Sequence, residues 1–72
     1  MMLTFLFKWR GSGGGNCPAV YDTDGGDLVI QGYDLGDEEI GQLRNRADNE
    51  GAVRIPYAMA EQIADMVNAR RA

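Results

Sequence analysis

Residues 17–33 read CPAVYDTDGGDLVIQGY, and this stretch decides the fold class. On its first arm Val20 and Tyr21 favour an extended strand; on its second, Leu28, Val29, Ile30 and Tyr33 do the same. Between the arms lie Asp24, Gly25, Gly26 and Asp27. Asp-Gly and Gly-Gly pairs supply the positive φ angles that a tight turn demands, so the stretch predicts an antiparallel hairpin. Gly32 stands inside the second arm, and a glycine there marks a bulge or the close approach of another backbone.

Upstream of the hairpin, Leu3, Phe5, Phe7 and Trp9 recur with a period of two, with Thr4, Lys8 and Arg10 between them and Leu6 as the exception. That spacing predicts a third strand with one apolar face, built for core packing or, if Trp9 stands free, for contact. Downstream, the chain turns over residues 34–37. Asp37 suits a helix cap, and Glu38 and Glu39 suit the positive end of a helix dipole. Ile40, Leu43 and Ala47 then follow at helical spacing, which predicts a helix over residues 37–47, weakened by about 1 kcal/mol at Gly41. Residues 48–51 form a polar turn, and residues 52–55 a short strand with Val53 and Ile55 on one face. Pro56 ends that strand and fits the first turn of a second helix, predicted over residues 57–69. Met59, Ile63, Met66 and Val67 make its apolar stripe, while Glu61, Gln62, Asp65 and Asn68 face water; residues 70–72 are expected to fray. The outcome is one small α+β domain: a mainly antiparallel sheet of three to four strands with two helices packed on it, in the order β-β-β-α-β-α.

At 72 residues the core is modest, and a folding stability of roughly 3–5 kcal/mol is expected. Small domains often draw on disulfides, metals or partners. One cysteine and no histidine exclude an intrachain disulfide and a zinc pair, leaving the core itself or self-association. The N-terminal run MMLTFLF has no basic leader or small-residue cleavage site and is too short to span a bilayer, so neither a signal peptide nor a membrane is expected. With the lone cysteine, this favours the reducing cytoplasm.

The formal net charge is −4, and seven of the eleven acids (Asp22, Asp24, Asp27, Asp34, Asp37, Glu38, Glu39) lie in the middle of the chain. Such a field repels phosphate backbones and disfavours nucleic acid as a partner. The cations, among them Arg10, Arg44, Arg46, Arg54, Arg70 and Arg71, are scattered.

Three local patterns invite a chemical reading. Residues 11–16, GSGGGN, are glycine-rich, but a phosphate-cradling loop needs Lys and Ser or Thr after it at the mouth of a helix. Here Cys17 and Pro18 follow, and the segment reads as a flexible connection. Cys17 lacks the histidine that would make it a nucleophile and reads as a small, part-buried residue at a strand start. Residues 22–27, DTDGGD, open like a calcium loop. Position six, which wants glycine, is Asp27, and position twelve, which wants a bidentate glutamate, is Tyr33. No cofactor or metal is indicated.

The chain resembles a family of short actinobacterial proteins with the hairpin pattern CPxVYxTDxGxxVxQG followed by Tyr or Trp. The matching parts are the aromatic strand ending in Trp9, the glycine-rich connection, Cys17 to Tyr21, Thr23 and Asp24, and Val29 to Gly32. Acids like Asp37 to Glu39 and a segment like Val53 to Pro56 complete the match. The family commonly has tryptophan where Tyr33 stands. Its members are often encoded near small helix-turn-helix regulators, so the resemblance implies an accessory role beside a transcriptional regulator. It carries no catalytic residues.

Three functions follow from these observations. The first is a non-enzymatic cytoplasmic protein-interaction module, binding a protein partner or a second copy through Trp9, Tyr21, Tyr33, Met59 or Met66, with the N-terminal strand able to pair edge to edge. The second is a small ligand-binding or enzymatic domain using Cys17 with Asp22, Asp24 and Asp27. The third is a single-stranded nucleic-acid binder that stacks bases on Trp9, Tyr21 or Tyr33 beside Arg10 and Arg54. The absence of a catalytic constellation favours the first.

Overall fold

A computed structural model describes residues 1–9 and 17–71. The glycine-rich connection, Arg10 and Ala72 lie outside the described residues. The predicted hairpin is present as β2, Ala19–Thr23, and β3, Leu28–Gln31, paired antiparallel with Val20 opposite Ile30 and Tyr21 opposite Val29. Its turn uses Gly26 at φ 86°, a left-handed conformation that glycine adopts without a side-chain penalty. Thr23 pins the same turn. Its hydroxyl donates to the Asp27 carbonyl (2.8 Å) and accepts from the backbone N–H groups of Gly25 (3.2 Å) and Asp27 (3.1 Å).

The N-terminal strand β1, Leu3–Lys8, pairs antiparallel with β2, so the sheet order is β1-β2-β3. The expected alternation of β1 does not survive pairing. Phe5 lies opposite Tyr21 but Phe7 lies opposite Val20, because the register shifts between them. Tyr21 and Val20 are neighbours on β2 and point to opposite faces. Leu6 is therefore the extra residue of a bulge, and Phe5 and Phe7 are separated onto the two faces of the sheet rather than sharing one.

The fold class is α+β, as the sequence predicts, with one strand more. After Gly32 the chain enters β4, Tyr33–Asp34, which pairs antiparallel with β5, Val53–Arg54, as a second, two-stranded sheet. Gly32 marks a close approach: a Cβ there would lie 2.7 Å from the Arg54 carbonyl oxygen and 2.9 Å from Val53 Cγ2.

Between these strands the predicted helix over residues 37–47 is corrected to a single turn, α1, Asp37–Ile40. Gly36, not Asp37, is its N-cap, and the Glu39 carboxylate accepts from the Gly36 N–H at 3.0 Å. Gly41 ends it, donating its N–H to the Asp37 carbonyl (3.0 Å). Past that point the chain finds partners that compete with a helix. Asn45 takes φ 51°, Glu50 accepts from the Ala47 N–H (3.0 Å), and Arg46 donates to the Glu50 carbonyl (2.8 Å). No described apolar surface draws in the other side of the segment: residues 41–51 are all exposed.

The last helix, α2, Tyr57–Arg71, starts where the Pro56 carbonyl accepts from the N–H groups of Met59 (3.0 Å) and Ala60 (3.2 Å). Its stripe is as expected: Met59 is fully buried, and Ile63, Met66 and Val67 are half-buried. Its end is not frayed at Arg70, whose guanidinium reaches the Asp22 carboxylate at 3.4 Å. That contact places α2 on the face of the sheet that carries Val20 and Asp22. The fully buried side chains there are Val20 and Met59.

Candidate docking face

Because α2 covers the Val20 side, alternation along β2 turns Ala19, Tyr21 and Thr23 to the other side. The register then builds a row across all three strands, Phe5 to Tyr21 to Val29. Leu3 stands beside this row, opposite Thr23. The Phe5 and Tyr21 rings meet edge to face, with centroids 5.9 Å apart and planes at 72°. Such pairs favour this geometry because the positive ring edge meets the negative ring face. The Tyr21 hydroxyl donates to Gln31 Oε1 at 2.8 Å, which orients the ring along the sheet. At the N-terminus, the Met2 N–H donates to Asp24 Oδ1 at 3.1 Å and holds the strand start against the hairpin turn.

This face is open. Phe5 is 56% exposed and Leu3 49%, with Met1 and Met2 exposed beyond them. An apolar side chain gains roughly 25 cal/mol per Å² on leaving water, so the exposed Phe5 and Leu3 carry unused binding capacity.

The other residues singled out from the sequence are dispersed. Trp9 is half-buried at the end of β1, its backbone N–H donating to the Pro18 carbonyl at 2.7 Å. Tyr33 lies in the second sheet beneath Arg54, whose guanidinium carbon stands 5.2 Å from the ring centroid in a cation–π contact. Met59 is enclosed in the core, and Met66 faces grooves on both sides of α2. One groove, about 340 Å³, runs between Phe7 and Gln62; the other, about 570 Å³, runs between Leu28 and Val67 beside Asp22 and Arg70. Cys17 lines neither groove and is 5% exposed. Of the five candidate contact residues, only Tyr21 belongs to the open row. Phe5 in the row and Leu3 beside it are the exposed members of this face, whereas strict alternation predicts both for the core. The signal that could have found them is the Leu6-Phe7 doublet, two successive apolar residues where period two requires a polar one.

Among the described residues, no group of three or more His, Cys, Asp or Glu side chains is placed to hold a metal ion. Nor is any described helix long and apolar enough to cross a membrane. Compared with known proteins, the chain matches no family model, no curated protein and no solved structure.

Proposed function

We propose that this protein is a non-enzymatic interaction module that docks another protein chain through the open face of its three-stranded sheet. The observation that carries the reading is the pair of exposed apolar side chains on β1, Phe5 at 56% and Leu3 at 49%, on a face that α2 does not cover. Edge-to-face aromatic pairing already fixes Phe5 and Tyr21, so little side-chain freedom is lost when a partner arrives. Cytoplasmic location and an accessory role beside a transcriptional regulator are what the lone cysteine and the family resemblance add to this reading.

Affinity capture from a lysate of the encoding organism, using the tagged full chain and its Phe5→Glu variant side by side, tests it. The expected result is a stoichiometric protein, a second copy included, recovered with the wild-type chain and lost with the variant. Recovery of the same proteins by both chains, or of none by either, overturns it.

A further inference from the structure

We propose that the Asp24–Gly25 bond at the hairpin tip is a modification site, where the backbone isomerises from aspartate to isoaspartate, and that Thr23 and the start of β1 hold this reaction in check. The chain supplies the reactive pair once: no other Asp or Asn is followed by glycine. Glycine has no Cβ to shield its nitrogen, so the amide after Asp24 is open to attack on the neighbouring side chain. Asp24 and Gly25 are both exposed, and water, the only co-reactant, reaches them.

The chemistry balances with water alone. The Gly25 amide nitrogen loses its proton and attacks the Asp24 side-chain carboxyl carbon. A C–N bond forms, water leaves, and a succinimide ring closes. Water then adds to one of the two ring carbonyls and breaks one C–N bond. Opening on one side restores aspartate; opening on the other leaves the main chain running through Asp24 Cβ and Cγ.

The fold restrains both reacting groups. The Gly25 N–H donates to Thr23 Oγ1 at 3.2 Å. That oxygen cannot take the proton away. It also accepts from the Asp27 N–H (3.1 Å) and donates its own hydrogen to the Asp27 carbonyl (2.8 Å), which occupies both lone pairs and the hydroxyl proton. Thr23 is itself buried, so water does not readily replace these bonds. The Asp24 carboxylate is held separately: its Oδ1 accepts from the Met2 N–H at 3.1 Å, which ties it to the start of β1. Ring closure therefore waits for the turn to open and the strand start to lift.

The product undoes these restraints. The isoaspartyl chain has one more main-chain carbon between Asp24 Cα and the Gly25 nitrogen, which shifts Gly25 out of the spacing that lets one hydroxyl serve both N–H groups. Its free carboxylate sits directly on Cα and draws back from Met2. Isomerisation at this bond thus loosens the hairpin tip and the β1 start together.

The test incubates the full chain in neutral buffer and follows residue 24 by peptide mapping, with fragmentation that distinguishes isoaspartate from aspartate and circular dichroism to check folding. The folded wild type is expected to accumulate isoaspartate slowly, and the same chain unfolded in urea to do so faster. Thr23→Val deletes the hydroxyl and is expected to react about fivefold faster than wild type while folded, the factor that one hydrogen bond of ordinary net strength represents. Thr23→Ser keeps the hydroxyl and stays near the wild-type rate. Gly25→Ala loses the product: Gly25 is not in the left-handed region, and an added Cβ meets only Thr23 Oγ1, at an ordinary 3.9 Å, so the turn stands while the nitrogen is shielded. If Thr23→Val loses its fold, Met2→Pro, which removes the other donor, replaces it with the same direction of effect. A folded Thr23→Val that reacts no faster than wild type overturns Thr23 as the restraint. Equal rates in the folded and the urea-unfolded wild type overturn control by the fold, and no isoaspartate at residue 24 in either state overturns the site.

Discussion

The two faces of the three-stranded sheet are written into alternate residues of one strand. On β2, Val20 points to the side where α2 lies and is fully buried; its neighbour Tyr21 points to the other side and is only half-buried. The faces differ in what the chain has left to cover them. α2, with 15 residues, is about 22 Å long and lies across one face. α1 is a single turn of four residues with no buried side chain. A chain of this size with one full helix can finish one side of a sheet; on the other side Ala19 is buried, but Phe5 and Leu3 become surface. The bulge at Leu6 sharpens the division, sending Phe7 to the covered side and Phe5 to the open one.

The largest expected effect breaks the covered face. Met59→Ala removes a fully buried side chain and should lower folding stability by about 2–4 kcal/mol, most of what a domain of this size has. Phe5→Ala removes a larger side chain from the open face and should cost less than about 1 kcal/mol of folding stability. Urea denaturation at concentrations low enough to exclude association measures both. Equal losses would mean that the two faces are not distinct.

Next in size is the turn on which both faces depend. Thr23→Val keeps the shape but deletes the hydroxyl that bonds the Asp27 carbonyl and the N–H groups of Gly25 and Asp27. A loss of about 1–2 kcal/mol is expected in the same denaturation experiment. Hydrogen exchange should accelerate at the turn end of the hairpin before it does at the Ala19–Gln31 end. Uniform acceleration would place the hairpin's stability in the strands rather than the turn.

The hairpin was legible in the sequence because its determinants are local. Gly26 supplies the turn, β-branched and aromatic residues fill the arms, and the pairing follows from the loop length. The α2 stripe was legible for the same reason: Met59, Ile63, Met66 and Val67 repeat at helical spacing and bury accordingly. Two features were not legible. The shift between Phe5 and Phe7 arises only when β1 meets β2, so a period-two reading of β1 alone placed Phe5 in the core. The helix over residues 37–47 had its spacing but no apolar surface to dock against, and Gly41, Asn45 and the Glu50 contacts decided the outcome instead. Gly41→Ala probes that balance. Gly41 has φ −65° and ψ −16°, which alanine adopts freely, and an added Cβ meets the Asp37 and Glu38 carbonyls at an ordinary 3.5 Å. It should raise stability by about 0.5–1 kcal/mol and extend protection past α1 in hydrogen exchange. A loss of stability would show that the short α1 is required by its surroundings rather than limited by glycine.

The smallest effect tests what holds α2 on its face. The Arg70–Asp22 contact spans 3.4 Å, but the two side chains are 51% and 37% exposed, so water and salt screen it. Removing it by Arg70→Gln should cost about 0.5 kcal/mol or less, and raising the ionic strength should erase the difference from wild type. The apolar stripe through Met59 and Met66 would then be what seats the helix, with the ion pair setting only the direction of its last turn. Thermal denaturation of wild type and variant at low and high salt separates the two contributions. A large loss that persists in high salt would mean that α2 depends on its polar tether, and the covered face would then be only marginally better sealed than the open one.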